Sequence, residues 1–208
     1  MLYYVLLFST AIILGIVIAM FNLPFWTAVV VIIGISFIHL GYNLYTIYRS
    51  KNMQAIAKYI EKNKKHPLYA YAFSTANGSV NEQVTAIDVL LAKYKSPYMQ
   101  AIYKMNRALL TSDFELAMRE VENIAEKPLG QYGIALIYAL QGDRENATSI
   151  NLQNMWQQAC IDAVLAYREQ SPTYHAKKQQ AIEASRGIQR YTNYYFFESI
   201  EKTMPWKV

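Results

Sequence analysis

The amino-acid sequence predicts an all-α fold: an N-terminal transmembrane helical hairpin, an α-solenoid of about four helix pairs, and a C-terminal capping helix. Three observations carry that prediction. Residues 1–48 contain no Asp, Glu, Lys or Arg, and six cations then fall between Arg49 and His66. Beyond that flank, apolar residues recur at helical spacing, as in Ile102, Met105, Ala108 and Leu109. Prolines and alanines repeat there about every 30 residues, while alternating β patterns are scarce.

The uncharged stretch divides into spans over 2–20 and 27–48, around Phe21-Asn22-Leu23-Pro24-Phe25-Trp26. Each matches the ~20 residues needed to cross ~30 Å of hydrocarbon, and Pro24 suits the turn between them. A cleaved signal peptide would carry a basic start and a shorter apolar core. Here a second complete span follows at once.

Residues 49–66 are expected to form a basic helix beside the membrane. Arg49, Lys51, Lys58, Lys62, Lys64 and Lys65 face only Glu61, so the flank accounts for the net charge of +5 and leaves fourteen charges of each sign in residues 67–208. The positive-inside bias keeps this flank cytoplasmic, which puts both termini in the cytoplasm, and the short outer loop and compact design fit a bacterial cell membrane. Anionic lipid is the expected contact of these cations, and nucleic acid is not an expected partner.

Within the spans, Ala11, Gly15 and Ala19 repeat every fourth residue, and Thr27, Gly34 and Gly41 every seventh. Such stripes let helices approach closely, and the expectation is that they pack the hairpin together. His39 faces the same way as Asn43, and a hydrogen bond across the hairpin is its expected role.

Residues 67–208 read as one domain of helix, turn, helix, repeated. Pro67, Pro97 and Pro128 mark the starts of first helices, where the missing N–H has no partner to lose. Ala86, Ala117 and Ala147 follow at matching intervals on the second helices. Between them lie the breakers Asn77-Gly78-Ser79, Thr111-Ser112-Asp113 and Gln141-Gly142-Asp143. A fourth pair runs from Met155 to Gln170 and onward from a Ser171-Pro172 start through Ala176. Ile188 to Thr203 is the expected cap.

The run Tyr138-Ala139-Leu140-Gln141-Gly142-Asp143-Arg144-Glu145-Asn146-Ala147 resembles the centre of a tetratricopeptide repeat (TPR), and Ser112-Asp113-Phe114-Glu115-Leu116-Ala117 resembles its turn. The TPR-like period is near 30 residues, shorter than the family's 34. The resemblance implies a groove lined by first helices, at Tyr71, Thr75, Ile102, Asn106, Tyr132, Leu136 and Arg168. Aromatic and aliphatic residues stand where some family members carry a basic carboxylate clamp, so an apolar or helical peptide is the implied occupant.

No catalytic constellation accompanies this architecture. The single cysteine, Cys160, permits no intrachain disulfide, and His39, His66 and His175 are scattered. Neither a metal site, a cofactor motif nor a small-molecule substrate site is evident. The sequence therefore leads to a non-enzymatic, membrane-anchored scaffold or adaptor that binds a protein partner through its cytoplasmic repeats. The alternative expectation is an accessory subunit of a transporter or envelope complex that acts through the transmembrane hairpin.

Overall fold

The computed structural model describes residues 2–21, 24 and 26–203, and every described element is a helix. Asn22, Leu23 and Phe25 of the expected interhelical loop lie outside the described residues. The chain divides into two compact units, Met1–Tyr45 and Thr46–Val208.

The first unit holds α1 (Leu2–Met20) and most of α2 (Trp26–Tyr48). At 23 residues, α2 is long and apolar enough to cross a membrane. It is not a core helix of the described chain, since Phe37 and Ile38 are 68% and 75% exposed. Ala11, Gly15, Ala19, Gly34, His39 and Gly41 are all exposed as well. A Cβ added at Gly15, Gly34 or Gly41 would meet nothing within 4 Å. The seam expected from these small residues is thus not formed among the described residues. Small side chains permit close approach but do not by themselves drive it.

The second unit starts with α3 (Met53–Lys62), capped by Asn52, whose side chain accepts from the Ala55 N–H at 3.1 Å. Arg49, Lys51, Lys58, Lys62, Lys64 and Lys65 are exposed, while Ile56 and Ile60 on the opposite face are buried. The basic segment is therefore amphipathic and belongs to the globular core rather than standing apart from it.

Next come α4 (Pro67–Asn77), α5 (Val80–Lys93), α6 (Pro97–Leu110), α7 (Phe114–Glu122), α8 (Pro128–Gln141) and α9 (Arg144–Ser149). Pro67, Pro97 and Pro128 each open a helix, as their spacing predicts. Ser79 and Glu82 form a capping box on α5, and Asp113 and Asp143 cap α7 and α9. Gly142 closes α8 in the left-handed conformation, at φ 84°. Ala117 and Ala147 are fully buried where the helices meet, but Ala86 is only half-buried. Its cap lies seven residues upstream rather than four, so Gln83 takes the equivalent inward position.

The fourth pair is α10 (Met155–Arg168) and α11 (Tyr174–Ala184). Here the structure corrects the expected start: residues 171–173 form a turn, Thr173 is the N-cap, and Ala176 is exposed. Consecutive helices pack on one another from α3 to α12 (Gly187–Thr203), and α6 and α10 also touch α8.

The final helix is more than a cap on the last pair. It packs on α11, and it also returns to α3 and α4, where Tyr191 shares a cluster with Ile56, Ile60 and Ala72. Phe197 and Ile200 enter the largest core cluster, with α8, α10 and α11. The second unit is thereby closed on itself, with first and last elements in contact. Gly187 makes the junction: its N–H donates to the Ser50 carbonyl at 2.8 Å, with φ at 55°.

Candidate functional site

Helices α4, α6, α8 and α12 surround a cavity of about 380 Å3. Six of the seven residues implied by the resemblance converge on it: Tyr71 and Thr75 from α4, Ile102 and Asn106 from α6, and Tyr132 and Leu136 from α8. These helices start alike, each with proline at its first position, so residues one and two turns in fall on one side. Arg168 is the exception. It is exposed at the end of α10, beside the Gly142 turn, and does not line the cavity. The reason is that α10 is nearly surrounded, with Ala163, Val164, Leu165 and Ala166 all buried, and only Trp156 at its start reaches the cavity.

The wall supplied by α12 was not expected. Thr192, Tyr195, Phe196, Ser199, Ile200 and Thr203 all line the cavity. Their spacing of three and four residues describes one helix face, so the signal was present in the sequence. The expectation for Ile188 to Thr203 is a cap at the end of the array, which assigns no wall of the groove to that face.

Side chains hold α12 in place. Asn193 Nδ2 donates to Ser185 Oγ at 2.7 Å and to Cys160 Sγ at 3.2 Å, both buried. The Tyr167 hydroxyl donates to the Ile200 carbonyl at 3.3 Å, and Arg190 donates to the Ile182 carbonyl at 2.6 Å. Lys178 donates to Glu198 at 2.9 Å and to Glu201 at 2.8 Å, and the Tyr174 hydroxyl donates to Glu201 at 2.6 Å.

That ionic cluster carries a pH signature. Burial acts to raise the Glu201 carboxyl, but the hydrogen bonds from Lys178 and Tyr174 prevail and hold it below its ordinary 4.5. Burial lowers the Lys178 ammonium, and the two carboxylates more than reverse that, raising it above 10.5. A depressed carboxyl stabilises the fold above its unfolded pKa and loses that contribution as pH falls through its folded value. The raised ammonium contributes below its unfolded pKa and is lost as pH rises through its folded one. A Lys178→Met chain should thus be less stable by about 1–2 kcal/mol near neutrality, between exposed and buried ion pairs. In urea melts at stepped pH, the gap from the parent should narrow as Glu201 is protonated and close in strong acid. A gap that persists in acid would assign the loss to packing.

Two further groups define the chemistry of the site. Burial pushes the Cys160 thiol up to about 12, partly offset by its hydrogen bond with Tyr132. It is therefore a packed thiol and not a nucleophile. The Tyr71 hydroxyl is raised well above its ordinary value, first by burial and then by Tyr103 nearby. Among the described residues, no group of three or more His, Cys, Asp or Glu side chains could hold a metal ion. The lining consists of aromatic, aliphatic and neutral polar groups around the cavity. Comparison of the chain with protein-family models, curated proteins and solved structures finds no match.

Proposed function

We propose that this chain is a membrane-anchored adaptor whose helical unit binds a protein partner. In this reading α1 and α2 form a two-span hairpin in a bacterial cell membrane, with both termini cytoplasmic. The six exposed cations from Arg49 to Lys65 rest on anionic headgroups. The four helix pairs are a TPR-like array, and the partner presents an apolar or aromatic helix to the face made by α4, α6 and α8.

One observation supports this reading above the others. A helix of the same chain, α12, already sits across that face through Tyr195, Phe196 and Ile200. The face is thus suited to a helix with an aromatic and aliphatic stripe. A three-turn helix about 16 Å long and 10 Å wide fills roughly 1,300 Å3, far more than the cavity beneath α12. The partner helix therefore takes the seat of α12 rather than joining it.

Site-specific photocrosslinking in intact membranes tests the proposal. A photoreactive residue at Asn106 should attach to a second protein, and one at Glu115, exposed on α7, should not. Substituting an unrelated two-span hairpin should leave the Asn106 adduct intact. Its disappearance on that exchange would favour the accessory-subunit reading, in which the membrane spans carry the function.

A further inference from the structure

We infer that the cavity beneath α12 is a binding site for a small, uncharged amphiphile: an apolar body carrying one or two neutral hydrogen-bonding groups. This departs from the expectation that no small-molecule site is evident. It goes beyond the adaptor reading and does not depend on a partner.

Charge is the first argument. None of the 24 residues that line the cavity is Asp, Glu, Lys, Arg or His. Residues 67–208 hold fourteen acidic and fourteen basic side chains, so charge is common in this unit and absent from this wall. A carboxylate, phosphate or ammonium group would lose its hydration here without a counter-charge, and burying an unpaired charge is costly. Within the cavity, carboxylates, nucleotides and phospholipid headgroups are disfavoured on that ground.

Size and polarity make the second argument. At about 380 Å3 the cavity lies at the lower end of the 300–1,000 Å3 common for small-molecule sites. Leu136, Ile102, Phe196 and Trp156 supply an apolar and aromatic body. Most polar groups of the lining are already engaged: Thr75 donates to the Ala72 carbonyl, Thr192 to the Gln189 carbonyl, and Gln189 to Asn193. The Tyr71 hydroxyl and the Asn106 amide face the cavity and make no hydrogen bond among the described residues. Half-buried donors of this kind orient a ligand in an otherwise apolar site. Both are neutral, and with no counter-charge in the lining they suit neutral hydroxyl or carbonyl groups best.

The test uses the full chain in lipid nanodiscs. Trp26→Phe and Trp206→Phe leave Trp156, in the cavity wall, as the single tryptophan reporter. Titration with 1-decanoylglycerol should move its fluorescence to saturation. Decanoate above neutral pH has the same chain with a charge, and should bind at least about tenfold more weakly. Thr75→Phe, which fills the cavity, should abolish the response. Asn106→Leu, which keeps the branched skeleton and removes the amide, should weaken it about threefold to tenfold, the worth of one hydrogen bond. Should Thr75→Phe fail to fold, Asn106→Leu decides. A response that never saturates, one that is equal for decanoate, or one that ignores both substitutions would overturn the assignment.

Discussion

An alanine at Gly187 is expected to lower the stability of the helical unit by about 2–5 kcal/mol. Gly187 opens α12 in the left-handed region, at φ 55°, where an L side chain costs about 1–2 kcal/mol. A Cβ there would run into the Ile47 carbonyl and lie 2.8 Å from the Tyr48 nitrogen. Both contacts are backbone, so neither can swing aside. Relief requires α12 to move off residues 46–50, which breaks the bond from the Gly187 N–H to the buried Ser50 carbonyl. Leaving those groups unpaired costs about 1–3 kcal/mol more.

Gly142→Ala supplies the contrast within the same chain. Its φ of 84° is equally unfavourable, but the added Cβ would meet only the Arg168 Nε at 4.0 Å. That substitution should cost only about 1–2 kcal/mol, the conformational component alone. Thermal melts of the two variants side by side separate the effects. Equal losses would mean that the contact between residues 46–50 and α12 contributes nothing.

Much of this molecule was written in local sequence rules. Pro67, Pro97 and Pro128 fixed three helix starts, because proline's ring geometry and missing N–H act on their own residue and need no neighbour. Asp113, Asp143 and Ser79 fixed the turns for a similar reason. The cavity residues on α4, α6 and α8 are those that the tetratricopeptide resemblance implies, and they share a side because the three helices start alike. What escaped was non-local. The resemblance implies Arg168 by counting α10 among the first helices that line the groove, whereas α8 and α11 pack against α10 and leave Arg168 outside. Small residues in α1 and α2 announced that helices could approach, but no local pattern states whether they do. The path of α12 back to α3 was the largest omission, since Tyr191 meets Ile56 and Ile60 across more than 130 residues of chain.

Phe197→Ala is the substitution that bears most directly on how the unit works. Phe197 is wholly buried on α12, within the cluster formed by α8, α10, α11 and α12. Truncating a core phenylalanine costs about 3–5 kcal/mol, through lost transfer energy and the void left behind. The loss falls on the attachment of α12, so hydrogen exchange along residues 187–203 should accelerate more than along α8. Lys202→Ala, at an exposed position on the same helix, should change neither.

The functional consequence follows from competition. If a partner helix takes the seat of α12, every 1.4 kcal/mol removed from α12 docking raises apparent partner affinity about tenfold, until the open form predominates. Phe197→Ala should therefore increase the Asn106 crosslink in membranes even as it lowers the melting temperature. An increase confined to Asn106, with Glu115 still giving no adduct, separates this competition from general damage to the fold. A crosslink that weakens in step with the melting temperature would instead make α12 part of the docking surface, and the partner would then rest against it.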